Sequence, residues 1–355
     1  MISTIKNIKN ITAGFGSVQK LSEILEKREG FTVFIIDIFF KKNKIFDIPA
    51  NENDIVVYVD STNELTTTYI NELMKFLKSE NPNLPQTIVG IGGGTALDTA
   101  KAVSNLYTNP GNAEDYQGWD LVKNAGIYKI GIPTLSGTGA ESSRTCVMIR
   151  HQNKLKLGMN SNHTIYDELI LDPDLTASVP KEQYFYSGAD AYIHSFESLN
   201  GRHRNNISDA YAHRSMELCR EVFLSSDMKS PQNREKLMTA SYFGGVAIAN
   251  SLVGVVHPLS AGLSVVFDIH HCLANCITMN AMEEFYPIEY KEFNEMLKIQ
   301  NIEIPKGKFT DLSPDKNRAL YEASIIHEKP LINALGENFK EILTFEKVKS
   351  LFRKM

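Results

Sequence analysis

At 355 residues the chain exceeds the size at which one hydrophobic core is usual, so two domains are expected. A net charge of −5 and a pI near 6.0 give no basic footprint for nucleic acid, and no early stretch has the apolar length of a signal peptide or a membrane span. Four cysteines are too few for a disulfide framework in a chain this long, which implies reduced thiols and a cytoplasmic setting.

The first half alternates short β-branched runs with helical spacing. Strands are predicted over residues 31–36, 54–59, 86–91, 127–132 and 169–171, with helical stretches such as 64–77 and 96–103 between them. This pattern predicts a parallel sheet flanked by helices, an α/β nucleotide-binding domain over residues 1–178. Two turns in it carry chemistry. Gly92, Gly93, Gly94 and Thr95 separate a strand from a helix, so backbone can approach a ligand closely and the helix start offers unpaired N–H groups to a pyrophosphate. After the strand over 127–132, Thr134, Ser136 and Thr138 supply hydroxyls able to bond phosphate or ribose oxygens, although an ordinary Gly/Ser loop has the same composition.

Beyond Val179 and Pro180 the strand signal fades and amphipathic segments over 206–223 and 233–252 take over, predicting an all-helical domain over residues 179–355. Residues 225–233 and 304–308 read as joining loops, and the basic tail from Phe339 as a surface helix. Asp190 and His194 lie one helical turn apart and project from one face. His257 and His271 follow, and together the four offer a carboxylate and three imidazoles, a donor set suited to Fe(II) or Zn(II) and not to Ca(II). Cys272 and Cys276, with three residues between them and no second pair, read as packing thiols.

Taken together these segments resemble the iron-containing (group III) alcohol dehydrogenase family. The resemblance rests on Gly92-Gly93-Gly94-Thr95-x-x-Asp98-x-x-Lys101-Ala102, on Pro133-Thr134 to Glu141, on Gly188-x-Asp190-Ala191-x-x-His194-x-x-Glu197, and on His257 with His271, in the family's order from about Gly14 to Asn275. It implies a dehydroquinate synthase-like nucleotide domain and a metal held by Asp190, His194, His257 and His271, which act in catalysis through that metal. His270 is a neighbouring candidate, but the family's interval between its last two ligand histidines matches His271. The resemblance also implies NAD across the glycine turns, bound by Gly92, Gly93, Gly94, Thr95, Asp98, Thr134, Ser136 and Thr138. Asp37 matches an acidic residue that favours NAD over NADP, since a carboxylate accepts from a free 2′-hydroxyl and repels a 2′-phosphate; a strand-ending Asp that starts a turn is the alternative. Lys156, with Lys154 close by, matches a lysine that reaches the nicotinamide ribose. Two departures stand out: Ala261 replaces a second histidine one turn after the third ligand, and Cys272 replaces a glycine.

Within the family, Tyr116-Gln117-Gly118-Trp119-Asp120-Leu121, Gly137 to Thr145, Lys156-Leu157-Gly158-x-Asn160-Ser161 and Tyr192-Ile193-His194 are similar to the 3-deoxy-manno-octulosonate 8-oxidase branch. That branch oxidises the C8 hydroxyl of an eight-carbon sugar acid to an aldehyde, which a downstream aminotransferase converts into an 8-amino sugar for lipopolysaccharide. Arg144 is then a candidate for the substrate carboxylate, or else a surface or ion-paired arginine. The expectation is a cytoplasmic homodimer acting on a small alcohol or sugar acid, with nucleotide and metal facing each other over a cleft. Rival readings are an alcohol dehydrogenase for another small polyol, a glycerol-1-phosphate dehydrogenase, a lyase of the dehydroquinate synthase type and a non-catalytic metal-binding protein.

Overall fold

The computed structural model of the chain describes residues 5–44, 46–150, 152–153 and 155–355. Met1 to Thr4, Ile45, His151 and Lys154, the last being the alternative to Lys156, lie outside the described residues. The chain divides into two compact units, residues 1–153 with 157–178, and residues 154–156 with 179–355.

The first unit is α/β. Its strands are β1 (Asn10–Ala13), β2 (Thr32–Asp37), β3 (Ile55–Val59), β4 (Thr87–Gly92), β5 (Gly118–Trp119), β6 (Tyr128–Pro133), β7 (Val147–Arg150), β8 (Leu155–Asn160) and β9 (Glu168–Leu171). Six of them form a parallel sheet in the order β1-β9-β6-β4-β2-β3, and β5, β8 and β7 form a second, small sheet. The central strands read as continuous apolar runs because both faces are covered. On one face Phe34, Ile36, Val89, Ile91, Ile130 and Ile132 pack with Val18 and with Leu21 of α1 (Lys20–Leu25). The helices between strands are α2 (Phe39–Lys42), α3 (Thr67–Glu80) and α4 (Gly94–Thr108), the last packed on β4 and β6. Strand β1 escapes prediction because Asn-Ile-Thr-Ala is short, mostly exposed and lies at the sheet edge. The small sheet escapes because its strands are short and mix Arg150, Lys156 and Gly158 into the apolar run.

In the second unit the described residues form helices α5 (Lys181–Leu199), α6 (Asn206–Phe223), α7 (Pro231–Ala249), α8 (Val256–Phe267), α9 (His271–Met279), α10 (Pro287–Gln300), α11 (Pro314–Ile325), α12 (Glu328–Leu335), α13 (Phe339–Ile342) and α14 (Phe345–Lys354). Their ends follow from capping chemistry. Asn205 accepts from the N–H groups of Ile207 and Ser208 at the start of α6, and Ser230 followed by Pro231 opens α7. Helix α5 is buried along almost its whole length from Tyr184 to Ser198 against α6, α7 and α9. The tail departs from the expected single surface helix. It breaks into α13 and α14, and Phe339, Leu343, Val348, Leu351, Phe352 and Met355 join the core while Lys340, Arg353 and Lys354 stay outside. Helical spacing gave that segment an apolar stripe, and its basic residues occupy only the other face. Among the described residues no helix is long and apolar enough to cross a membrane.

Candidate functional site

Helix α5 presents Asp190, His194 and Glu197 at successive turns of one face. Helix α8 contributes His257 in its first turn, and α9 contributes His271 at its start with Asn275 one turn on. Asp190, His257 and His271 each bring one ligand atom to within 4.8 Å of the others. His257 Nε2 lies 3.3 Å from Asp190 Oδ1 and His271 Nε2 lies 3.5 Å from Oδ2. His194 stands beside them, its Nε2 3.6 Å from Asp190 Oδ1 and its ring stacked on that of His257 at 4.7 Å between centroids. His270 is the N-cap of α9 and is not part of this set.

Two further residues orient the set. Glu197 Oε2 sits 2.5 Å from His257 Nδ1, which anchors that side of the ring and turns Nε2 toward Asp190. The other Glu197 oxygen accepts the Val256 N–H at 2.6 Å, so this carboxylate also caps α8 and lies at the positive end of that helix. Asn275 donates to Asp190 Oδ1 at 2.7 Å and fixes the carboxylate. The sequence carried Glu197 inside a motif without its role, because its partner lies 60 residues away. Asn275 had one usable signal, its position four residues after His271 on a helix.

Burial pushes the Asp190 carboxyl upward, yet the charges of His194 and His271 and the close approach of His257 and His271 outweigh this and hold it well below the usual carboxylate range. Burial likewise opposes protonation of His257, but Glu197 and Asp190 prevail and lift it to about 9. A cation taking His257 Nε2 therefore has to displace a proton, and its affinity rises with pH. Asp190 is fully buried, and its Oδ2 has no hydrogen-bond partner among the described residues. A buried carboxylate with a spare oxygen and converging imidazoles fits a divalent metal of the Fe(II) or Zn(II) kind.

In the first unit the adjacent strands β2, β4 and β6 end level with one another, pairing Ile36 with Ile91 and Gly92 with Pro133. Their carboxyl ends therefore gather Asp37, the glycine turn and the 133–138 loop on one edge, where nucleotides bind in open parallel sheets. Thr134 N–H donates to Gly92 C=O at 3.0 Å and locks the two turns together. The three glycines differ. A Cβ on Gly92 would lie 2.6 Å from Ala96 Cβ and 2.9 Å from Asp37 Cβ, at a φ of +152°, so internal packing alone demands glycine there. A Cβ on Gly93 meets nothing nearer than Leu135 at 3.5 Å, and one on Gly94 nothing nearer than Thr138 at 3.5 Å. Gly93 is the N-cap of α4 and, having no side chain, provides no side-chain cap to the first N–H groups of that helix. Ser136 Oγ is buried and without a hydrogen-bond partner among the described residues, while Thr138 accepts from Ala140 N–H. Thr95 is half-buried in the first turn of α4.

The remaining predicted residues have protein partners. Asp37 accepts from Phe39 N–H at 2.9 Å and from Ser61 Oγ at 2.5 Å, so it starts a turn at the strand end. Asp98 accepts from Val147 N–H at 2.9 Å, and Lys101, fully buried, donates to the carbonyls of Ser143 and Thr145 at 3.1 and 2.7 Å. These two motif residues thereby fasten α4 to the 143–147 segment. Lys156 groups with the helical unit and donates to Ser264 Oγ of α8 at 3.2 Å. Arg144 is ion-paired with Asp120, whose side chain is 62% exposed. Cys272 and Cys276 are buried and form no disulfide.

A family model for iron-containing alcohol dehydrogenases matches residues 9–173, and one for the C-terminal domain of the Fe-containing alcohol dehydrogenase family matches residues 184–309. The chain belongs to the iron-containing alcohol dehydrogenase family. A sulfoacetaldehyde reductase of Bilophila wadsworthia is 30% identical over 277 residues, 75% of this chain and 70% of that protein. An NAD-dependent methanol dehydrogenase of Bacillus methanolicus is 28% identical over 228 residues, 64% of this chain but only 59% of that protein. In fold, the chain is similar to a sulfoacetaldehyde reductase from Bifidobacterium kashiwanohense solved in complex with NAD+, with a TM-score of 0.81 at 19% identity over 99% of this chain and 98% of that one.

Proposed function

We propose that this member of the family is a metal- and NAD-dependent oxidoreductase interconverting a primary alcohol and its aldehyde, and that its substrate is a sugar acid of the 3-deoxy-manno-octulosonate type, oxidised at C8. The observation that carries the reading is the buried Asp190 with imidazoles converging on it. Asp190, His194, His257 and His271 hold the cation, Fe(II) or Zn(II), while Glu197 and Asn275 keep the donor atoms aimed at it. When bound, a divalent cation supplies Lewis acidity to the alcohol oxygen or, in reverse, to the aldehyde carbonyl. The open backbone at Gly93 and Gly94 and the start of α4 seat the pyrophosphate of NAD, and Asp37 disfavours a 2′-phosphate. The aldehyde product is a fit substrate for an aminotransferase. A homodimer is the assembly we assign to it.

The substrate class rests on the segments around Arg144. Its ion pair with an exposed aspartate is worth about 0–1 kcal/mol, so exchanging Asp120 for a substrate carboxylate costs little. The test is NADH formation by the Fe(II)- or Zn(II)-loaded chain with 3-deoxy-manno-octulosonate, 1-propanol and glycerol 1-phosphate. Arg144→Ala is expected to raise KM for the sugar acid by ~10-fold or more and to leave 1-propanol turnover almost unchanged, since a charge-assisted contact is worth roughly 1.5–3 kcal/mol. Equal losses on both substrates would reduce Arg144 to a scaffold residue. Good turnover of 1-propanol with none of the sugar acid would remove the substrate class and leave the dehydrogenase.

A further inference from the structure

Arg144 stands on a segment whose backbone is held at nearly every residue. Ser143 N–H donates to Gly139 C=O at 2.8 Å, and Arg144 C=O accepts from Ser161 N–H at 2.9 Å. The carbonyls on either side of it, those of Ser143 and Thr145, accept from Lys101 Nζ at 3.1 and 2.7 Å, and Val147 N–H goes to Asp98. Lys101 is fully buried, so these bonds form where water does not compete for them. Asp120 is fastened to the same strand end, one residue from Ser161: its N–H donates to Asn160 C=O at 2.7 Å, and its own C=O accepts from Lys123 Nζ at 2.9 Å. Its φ of +56° is in the left-handed region, which Asp and Asn tolerate better than most residues.

The two members of this ion pair are unequal. The Arg144 side chain is 22% exposed and that of Asp120 62%, so the carboxylate can leave for water at little cost while the guanidinium stays where its backbone holds it. Asp120 Oδ1 meets Nη2 of Arg144, whereas Nε is buried and has no hydrogen-bond partner among the described residues. A guanidinium offers Nε and one Nη side by side, matched to the two oxygens of a carboxylate. Asp120, tied down through its own N–H and C=O, fills one of those two positions. A carboxylate that is not part of the chain has no such tether and can fill both.

We propose that Asp120 is a specificity-determining residue: its carboxylate occupies the anion subsite of Arg144 in the free chain, and a substrate carboxylate displaces it, bonding Nη2 and Nε together. This rests on the sugar-acid reading above. No covalent bond changes, since one carboxylate replaces another on the same cation. A neutral alcohol offers Arg144 nothing and leaves the pair closed, whereas an anionic one has to open it. Asp120 thus weakens the preference for a carboxylate by competing for the group that recognises it.

The test uses the metal-loaded full chain with NAD+ on 3-deoxy-manno-octulosonate and on 1-propanol. Asp120→Asn keeps the left-handed turn and removes the competing charge. The ratio of kcat/KM for the sugar acid to that for 1-propanol should rise ~5-fold, through KM for the sugar acid, the size of an exposed ion pair. Asp120→Gly adopts the same backbone freely and has no side chain to offer Nη2, so it should give the same gain and decides where the two variants differ. In an Arg144→Ala background, Asp120→Asn should leave the ratio where Arg144→Ala alone puts it, because the competition needs the guanidinium. An unchanged ratio overturns the proposal, and so does a gain that persists without Arg144. A lower ratio overturns it too, by showing that Asp120 orients Arg144 for its ligand. The sugar-acid reading fails in a different way: no turnover of the sugar acid, or a ratio that Arg144→Ala does not lower, removes that reading and the inference with it. A ratio lowered by Arg144→Ala but not raised by either Asp120 variant sinks the inference alone.

Discussion

The helical unit and the sheet unit build their candidate sites from different materials. The metal centre is made of side chains, one carboxylate and several imidazoles carried on α5, α8 and α9 and oriented by Glu197 and Asn275. The sheet edge is made of backbone, with level strand ends, a glycine turn that leaves space, and a helix start without side-chain caps. A site built from side chains fails when one functional group is removed. A site built from backbone fails when a group is added. The sharpest tests use that asymmetry.

The largest effect is expected at the ligands. His271→Ala should cut metal occupancy and turnover by more than ~10-fold, since even residues that only orient ligands are worth 10–100-fold. His270→Ala, at the N-cap of α9, should leave metal content intact. Metal analysis of both proteins decides, and full occupancy in His271→Ala would transfer the role to His270. Glu197→Gln should fall between the two, because a neutral amide can still meet His257 Nδ1 while losing the charge at the start of α8.

The helical unit also carries a pH signature of its own. His327 titrates near about 4 in the folded chain against 6.5 in the unfolded one, burial being the main cause and Lys156 and His257 adding to it. Between those values the unfolded chain binds a proton that the folded chain does not. Stability is therefore fully present above pH 6.5 and lost as pH falls toward 4. The gap, 6.5 minus about 4, corresponds to an upper bound of about 3 kcal/mol. In metal-free protein, His327→Gln should lose less unfolding temperature between pH 7 and pH 4.5 than the wild type does. Parallel losses in the two proteins would show that the ring is not the group resisting protonation.

Much of this was legible in the sequence because side-chain chemistry announces itself. Helical spacing puts Asp190 and His194 on one face, but the glycine turn, His257 and His271 were needed to mark them as a metal set, and the family's ligand interval to choose His271 over His270. What escaped depends on partners distant in the chain. Glu197 acquires its role only when α8 arrives, and Asp98 and Lys101 only when the 143–147 segment folds over α4. The basic tail was misjudged for a related reason: charge counts record the exposed face, and the apolar stripe of α13 and α14 goes to the core.

The glycine turn gives the smallest effect and separates two roles that the sequence presents as one run. Gly92→Ala places a methyl group 2.6 Å from Ala96 Cβ in a backbone conformation that L residues rarely adopt, so it should cost roughly 1–3 kcal/mol of stability. Gly93 has a φ of −79° and extended ψ, which valine adopts readily, and no protein atom nearer than 3.5 Å to its added Cβ. Gly93→Val should therefore unfold at the wild-type temperature while binding NAD more weakly, by ~10-fold if one pyrophosphate hydrogen bond worth roughly 1.5 kcal/mol is lost. Paired thermal unfolding and NAD titrations read both quantities. Destabilisation by Gly93→Val would mean that the turn is packed shut, and unchanged affinity in a stable Gly93→Val protein would mean that the dinucleotide passes elsewhere along the edge. Either outcome would dissolve the contrast between the two sites, because the sheet edge would then be held together by its own contacts and not kept open for a ligand.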